Sequence, residues 1–151
     1  MKYSEYVTKY SEQYSVDENL IYAVIRTESG FMPQAQSHLH ARGLMQITDD
    51  TFKWAKSRMN EKNNATSYDD LYDIETNIKY GTFILSLLLE EFKSEETAIA
   101  AYHAGWGNVK SWLKDPEKSK DGISIADIPI NNTKDYVDKV VKAKKVYESI
   151  Y

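Results

Sequence analysis

The stretch DIETNIKYGTFILSLLLEE, residues 73–91, decides the fold. Ile78, Phe83, Ile84, Leu85, Leu87, Leu88 and Leu89 make it apolar on most sides, and Asp73 in front of it is a residue type that caps helices. A segment of that length and apolarity is a buried helix, so further helices must pack around it. Downstream, Ser94 reads as the next N-cap, and Ala98-Ile99-Ala100-Ala101-Tyr102-His103-Ala104 runs into Gly105, a natural left-handed helix end. A short helix from Gly107 or Asn108 to Leu113 is expected to turn Trp106, Val109 and Trp112 inward. Residues 114–130, with Pro116, Gly122 and Pro129, read as a polar loop with room for a small hairpin. Asn131 or Asn132 then caps a terminal helix on which Tyr136, Val140, Ala143, Tyr147 and Ile150 form one docking stripe.

Upstream the pattern is the same. Tyr3, Tyr6, Val7, Tyr10 and Tyr14 fall at helical spacing, and Asp17 caps a second helix that carries Leu20, Ile21, Val24 and Ile25 toward Glu28 and stops at Gly30. Thr48 opens a third helix through Phe52, Trp54 and Ala55, followed by a loop over residues 60–68. No sustained period-two alternation, internal repeat or linker interrupts this order, so one mainly α domain over residues 1–151 is expected.

Composition narrows the function classes. The net charge of −4, with Lys interleaved among Asp and Glu, argues against nucleic acid, which needs a clustered basic surface. Twelve Tyr, three Trp and four Phe provide rings with an apolar face and a polar tip, suited to a sugar cleft and equally to a helical core. The absence of Cys removes disulfide and thiol chemistry. No apolar run reaches the length of a membrane span, and the first residues lack the apolar core of a signal peptide, so the leader of an exported protein would lie outside this chain.

The residue that brings chemistry into the reading is Glu28, at the end of the apolar run Ile21–Ile25. A carboxyl half desolvated by the core beneath it is shifted toward the range of a general acid. Most glycoside hydrolases use two carboxylates, and no second one stands in a comparable setting: Asp49, Asp50 and Asp73 read as helix-start acids, Glu90 and Glu91 as a solvated helix end. Position alone would leave Glu28 structural.

Four ordered segments change that balance. They are Glu28-Ser29-Gly30-Phe31 with Pro33, Ala35 and Ser37; Ala41-Arg42-Gly43-Leu44-Met45-Gln46; Ala98 to Gly105 with its Ala101-Tyr102 pair; and Ile128-Pro129 followed by Tyr136-Val137. In these the chain resembles the soluble lytic transglycosylases of family 1, peptidoglycan-cleaving relatives of goose-type lysozyme, along nearly its whole length. The resemblance implies a lysozyme-like helical domain with at most a small β-hairpin, with Glu28 as the catalytic acid. It makes Gln46 a substrate contact in the floor of a sugar cleft and Ser37, Tyr102, His103 and Tyr136 further substrate contacts. Each has a plainer alternative: Gln46 and Ser37 can tie down their loop, and Tyr102 and Tyr136 can fill a core. Trp54 and Trp106 can stack on sugar faces or fill the core, and the sequence does not choose between the two, the core being the plainer reading.

The implied reaction needs one acid. Protonated Glu28 donates to the oxygen of the β-1,4 bond between N-acetylmuramic acid and N-acetylglucosamine. As carboxylate it then takes the proton of the muramyl C6 hydroxyl, which closes a 1,6-anhydro ring. No cofactor or metal is called for, and a monomer acting on peptidoglycan strands outside the cytoplasm, in the cell envelope or secreted, is expected. Two other classes stand beside this: a hydrolytic muramidase with Asp49, Asp50 or Glu75 as base, and a non-catalytic glycan-binding scaffold. The chain also departs from the family pattern. His103 replaces the usual Asn, Trp106 stands where Pro is common, and Asn132 occupies the place of an acid.

Overall fold

The computed structural model describes residues 1–125 and 131–150. Its helices are α1 (Ser4–Tyr14), α2 (Glu18–Ser29), α3 (Asp49–Arg58), α4 (Ile74–Glu91), α5 (Glu95–Ala104), α6 (Trp106–Lys114) and α7 (Asn131–Ile150), with a 3₁₀ segment over Tyr68–Tyr72. The described residues fall into two compact units, Met1–Ile84 and Leu85–Tyr151, whose boundary lies inside α4.

In the first unit local chemistry sets the helix limits. The Asp17 carboxylate accepts from the Asn19 N–H at 2.8 Å, Thr48 Oγ1 accepts from the Thr51 N–H at 3.4 Å, and Asp73 Oδ2 accepts from the Thr76 N–H at 3.0 Å, so each predicted cap is in place. Gly30 closes α2 at φ 58°, in the left-handed region that costs glycine least. Leu20, Ile21, Val24 and Ile25 of α2 are at most 1% exposed, and each such side chain contributes about 1.5–3 kcal/mol through burial. Leu44, Met45, Ile47, Phe52, Leu71 and Ile78 share this core. The 3₁₀ segment falls at the end of the stretch read as loop, where Ser67 and Asp70 form a capping box.

In the second unit α5 packs against α6 and α7. Ser94 Oγ accepts from the Thr97 N–H as the sequence predicts, and Ala98, Ile99, Ala100 and Ala101 are buried, their small side chains permitting close helix approach. Gly105 ends α5 at φ 95° and ψ 146°, outside the left-handed helical basin but still at positive φ.

Two expected core residues are exposed. Trp106 is 43% exposed while Val109 and Trp112 are buried. The helix begins at Trp106 itself, and at roughly 100° per residue its side chain projects about 90° away from the centre of the Val109–Trp112 stripe. Ile150 is 63% exposed although Tyr136, Val140, Ala143 and Tyr147 are buried as expected. It is the last residue of a 20-residue helix lying on the 10-residue α5, roughly 30 Å against 15 Å. Among the described residues, β pairing is confined to the antiparallel bridges Gln36–Arg42 and Arg42–Ile47, and none falls within residues 114–125, where the sequence left room for a small hairpin. The rest of that loop, with Ile128-Pro129, lies outside the described residues.

Candidate active site

Glu28 is the penultimate residue of α2 and is half-buried. Its neighbours fix the turn that presents it: Thr27 Oγ1 donates to the Ala23 carbonyl at 2.8 Å and Ser29 Oγ to the Ile25 carbonyl at 3.1 Å. Gly30 at φ 58° and Phe31 at φ 67° then turn the chain away in two successive left-handed steps. A non-glycine residue at such φ carries strain, a kind of geometry that gathers around functional sites.

The segment from Ala35 to Ile47 forms a tight hairpin-like loop. Arg42 and Ile47 exchange both backbone hydrogen bonds at 3.0 Å, and the Gln46 N–H reaches the Gly43 carbonyl at 3.1 Å across a turn. Gln46 sits in that turn at φ 49°, half-buried. Its Nε2 donates to the carbonyls of Ala35 at 3.0 Å and Gly43 at 2.9 Å. Since both partners are acceptors, the amide orientation is determined, and Oε1 is the end left to accept a hydrogen bond. Gln46 thus ties down its loop with one end and keeps an acceptor for an N–H such as that of an acetamido group. Ser37 Oγ accepts from the N–H groups of Leu39 at 3.2 Å and Ala41 at 3.1 Å, the loop-capping arrangement, with its own proton uncommitted among the described residues.

Residues that sequence reasoning passed over hold this loop in place. Asn77 of α4 is 1% exposed, and its amide donates to the carbonyls of Arg42 at 2.9 Å and Leu71 at 2.8 Å while accepting from the Met45 N–H at 2.8 Å. A Cβ on Gly43 would stand 2.2 Å from Asn77 Nδ2, and one on Gly81, a helical turn further along α4, 2.3 Å from Met45 Sδ. Both glycines are required for close approach. The available signal was the one amide of this helix and a glycine four residues on. Arg42 is held by Asp69, with its guanidinium 4.0 Å from the Tyr68 ring centroid and 5.2 Å from that of Tyr72.

Of the carboxylates considered as a second catalytic base, Glu75 and Asp49 are engaged elsewhere. Glu75 Oε2 accepts from Tyr10 Oη at 2.6 Å and Lys9 Nζ at 2.9 Å, and these bonds, Tyr10's foremost, hold its carboxyl below the usual range, which makes it a weaker base. Asp49 pairs with Lys53 at 3.1 Å, and Asp50 is exposed in the first turn of α3.

In the second unit, Tyr102 is half-buried on α5 and Tyr136, on α7, is 6% exposed. The ring of His103 stacks on that of Tyr136 with centroids 4.6 Å apart, and its Nδ1 lies 2.9 Å from Thr133 Oγ1. His103 is open to solvent at one edge, yet the loss of water on its packed side holds the imidazole below its ordinary range. As pH falls the unfolded chain therefore takes up this proton first. The stability that neutral His103 contributes is complete above its unperturbed value of 6.5 and is lost as pH falls through the lowered folded value. His103→Asn keeps a polar partner for Thr133 and removes the titration. Melting temperature measured between about pH 7.5 and pH 5 is expected to fall less steeply in this variant than in the parent. Parallel curves would show that His103 is solvated in both states. Among the described residues no group of three or more His, Cys, Asp or Glu is placed to hold a metal ion.

The model of the transglycosylase SLT domain matches residues 5–125, which include Glu28, the 35–47 loop and the α5 segment. The chain belongs to this family. The SLT domain is 37% identical over 116 residues to a membrane-bound lytic murein transglycosylase C of Sodalis glossinidius, a match covering 72% of this chain and 32% of that protein. The 70 kDa soluble lytic transglycosylase of Escherichia coli superposes with a TM-score of 0.84 at 27% identity over 98% of this chain. An inactive glutamate-to-glutamine mutant of the lytic transglycosylase Slt from Pseudomonas aeruginosa does so with a TM-score of 0.83 at 28% identity over 99%. The SLT domain spans 24% of each of these two chains. Among the described residues no helix is long and apolar enough to cross a membrane.

Proposed function

We propose that this SLT domain cleaves peptidoglycan strands as a lytic transglycosylase, at the β-1,4 bond between N-acetylmuramic acid and N-acetylglucosamine, with Glu28 as acid and then base. The observation that carries the reading is Glu28 itself: half-buried, presented by a turn whose flanking hydroxyls are both tied to the helix, in a unit where Glu75 and Asp49 are already engaged by cations. A reaction that needs one carboxyl fits that distribution better than one that needs two.

In this reading Glu28 protonates the glycosidic oxygen as positive charge develops at the anomeric carbon, with the muramyl acetamido group as internal support. The resulting carboxylate takes the proton of the muramyl C6 hydroxyl, whose oxygen bonds to the anomeric carbon. Water is not consumed. Attack from within the same sugar supplies the large effective concentration that a protein-bound nucleophile would otherwise provide. Gln46 Oε1 and the Ser37 hydroxyl serve as substrate contacts in the first unit, and Tyr102, His103 and Tyr136 serve in the second. The domain acts as a monomer in the cell envelope, in keeping with relatives described as membrane-bound and soluble murein transglycosylases.

Mass analysis of muropeptides released from purified sacculi is the test. Products one water lighter than the reducing sugars of a hydrolase are expected. Reducing-end products would assign the domain to hydrolysis, and no release would leave a glycan-binding scaffold.

A further inference from the structure

Trp106 carries a feature that neither Glu28 nor the loop explains. It is the exposed member of three tryptophans: Trp112 is 8% exposed, Trp54 is half-buried, and Trp106 is 43% exposed. Lys110, one turn along α6, sets its ammonium 4.3 Å from the centre of the Trp106 ring, and Glu91 Oε1 holds that ammonium at 2.6 Å. The indole is therefore supported on one face by a cation that is itself anchored and neutralised, which fixes the ring at little cost in side-chain freedom. Gly105 and Gly107 flank it, and a Cβ on either would meet nothing within 4 Å. Its Nε1–H donates to no partner among the described residues.

We propose that Trp106 is a sugar-stacking platform, taking the C–H face of an uncharged pyranose ring of a glycan strand on the indole surface opposite Lys110. The ligand class follows from the chemistry. A single flat ring with one free donor, beside a neutralised ion pair, suits a rigid neutral ring with hydroxyls at its rim. It is not a contiguous apolar patch of the size that docks a protein. The platform also follows His103 by three residues and Tyr102 by four, which aligns it in sequence with the proposed substrate contacts. The assignment rests on the glycan-strand reading above.

The test is binding without turnover. The Glu28→Gln protein is titrated with glycan strands freed of their stem peptides, alone and combined with Trp106→Ala or Trp106→Tyr, while the parent is assayed separately for cleavage. Trp106→Ala is expected to weaken binding about five- to tenfold and Trp106→Tyr less than about twofold, because tyrosine restores a stacking face. Equal affinity in all three, or no binding by Glu28→Gln itself, overturns the platform. So does a loss confined to concentration-dependent self-association, in which case the ring meets a second copy of the chain. Trp106-dependent binding in a protein whose parent cleaves nothing supports the platform and overturns the transglycosylase reading alone.

Discussion

Glu28→Gln is expected to lower muropeptide release from sacculi by on the order of 10³-fold or more, because a single side chain supplies both the acid and the base step. Glutamine keeps the shape and the hydrogen-bonding capacity of the half-buried side chain but has no proton to give and no carboxylate to receive one. The turn that presents residue 28 is built from the Thr27 and Ser29 hydroxyls and from Gly30, none of which the substitution touches. Melting temperature is therefore expected to stay within about 4 °C of the parent, and binding to sacculi to persist. Release within tenfold of the parent would remove Glu28 from the chemistry. A comparable loss in both activity and melting temperature would return it to the structural role its position alone suggests.

Asn77→Ala is expected to cost about 3–5 kcal/mol of stability and roughly 10 °C or more in melting temperature. The buried amide bonds three backbone groups at once, the carbonyls of Arg42 and Leu71 and the N–H of Met45, and alanine removes all three bonds, with the Ile47 N–H remaining on the Arg42 carbonyl. The residue is 1% exposed, so water is poorly placed to repair the loss. Because those groups belong to the loop that carries Gln46, activity should fall further than the folded fraction does. Asn77→Asp provides the control. It keeps an acceptor for Met45 but turns a carboxylate oxygen toward two carbonyls, so it should be no better than alanine. Chemical denaturation of the three proteins decides the matter, and a difference below about 1 kcal/mol would show that the loop holds itself.

What was legible in the chain shares a property: it is local. Asp17, Thr48, Asp73 and Ser94 cap helices because a short polar side chain reaches a backbone N–H two or three residues on, and that contact needs no knowledge of the fold. Gly30 and Gly105 end helices for an equally local reason. The buried face of α2 and most of the α7 stripe followed from spacing alone. Glu28, Gln46 and Tyr102 were singled out by ordered motifs, although the motifs said nothing of what each side chain touches.

Contacts across long separations were not legible. Asn77 lies 35 residues from Arg42 and 32 from Met45, and no pattern along α4 names those partners. The core was the plainer reading for Trp106 on the strength of its apolarity, and the register of α6, set by where that helix starts, turned it outward. Glu75 passed for an available base until Tyr10 and Lys9 were brought against it from 65 and 66 residues away. The sequence by itself determined the helix ends at Asp17, Gly30, Thr48, Asp73 and Ser94, since each depends on neighbours within about one turn. Only the tertiary structure decided which carboxylates are already engaged, what clamps the Gln46 loop and which tryptophan meets solvent. Those outcomes depend on which distant groups take up hydrogen bonds, charge and surface.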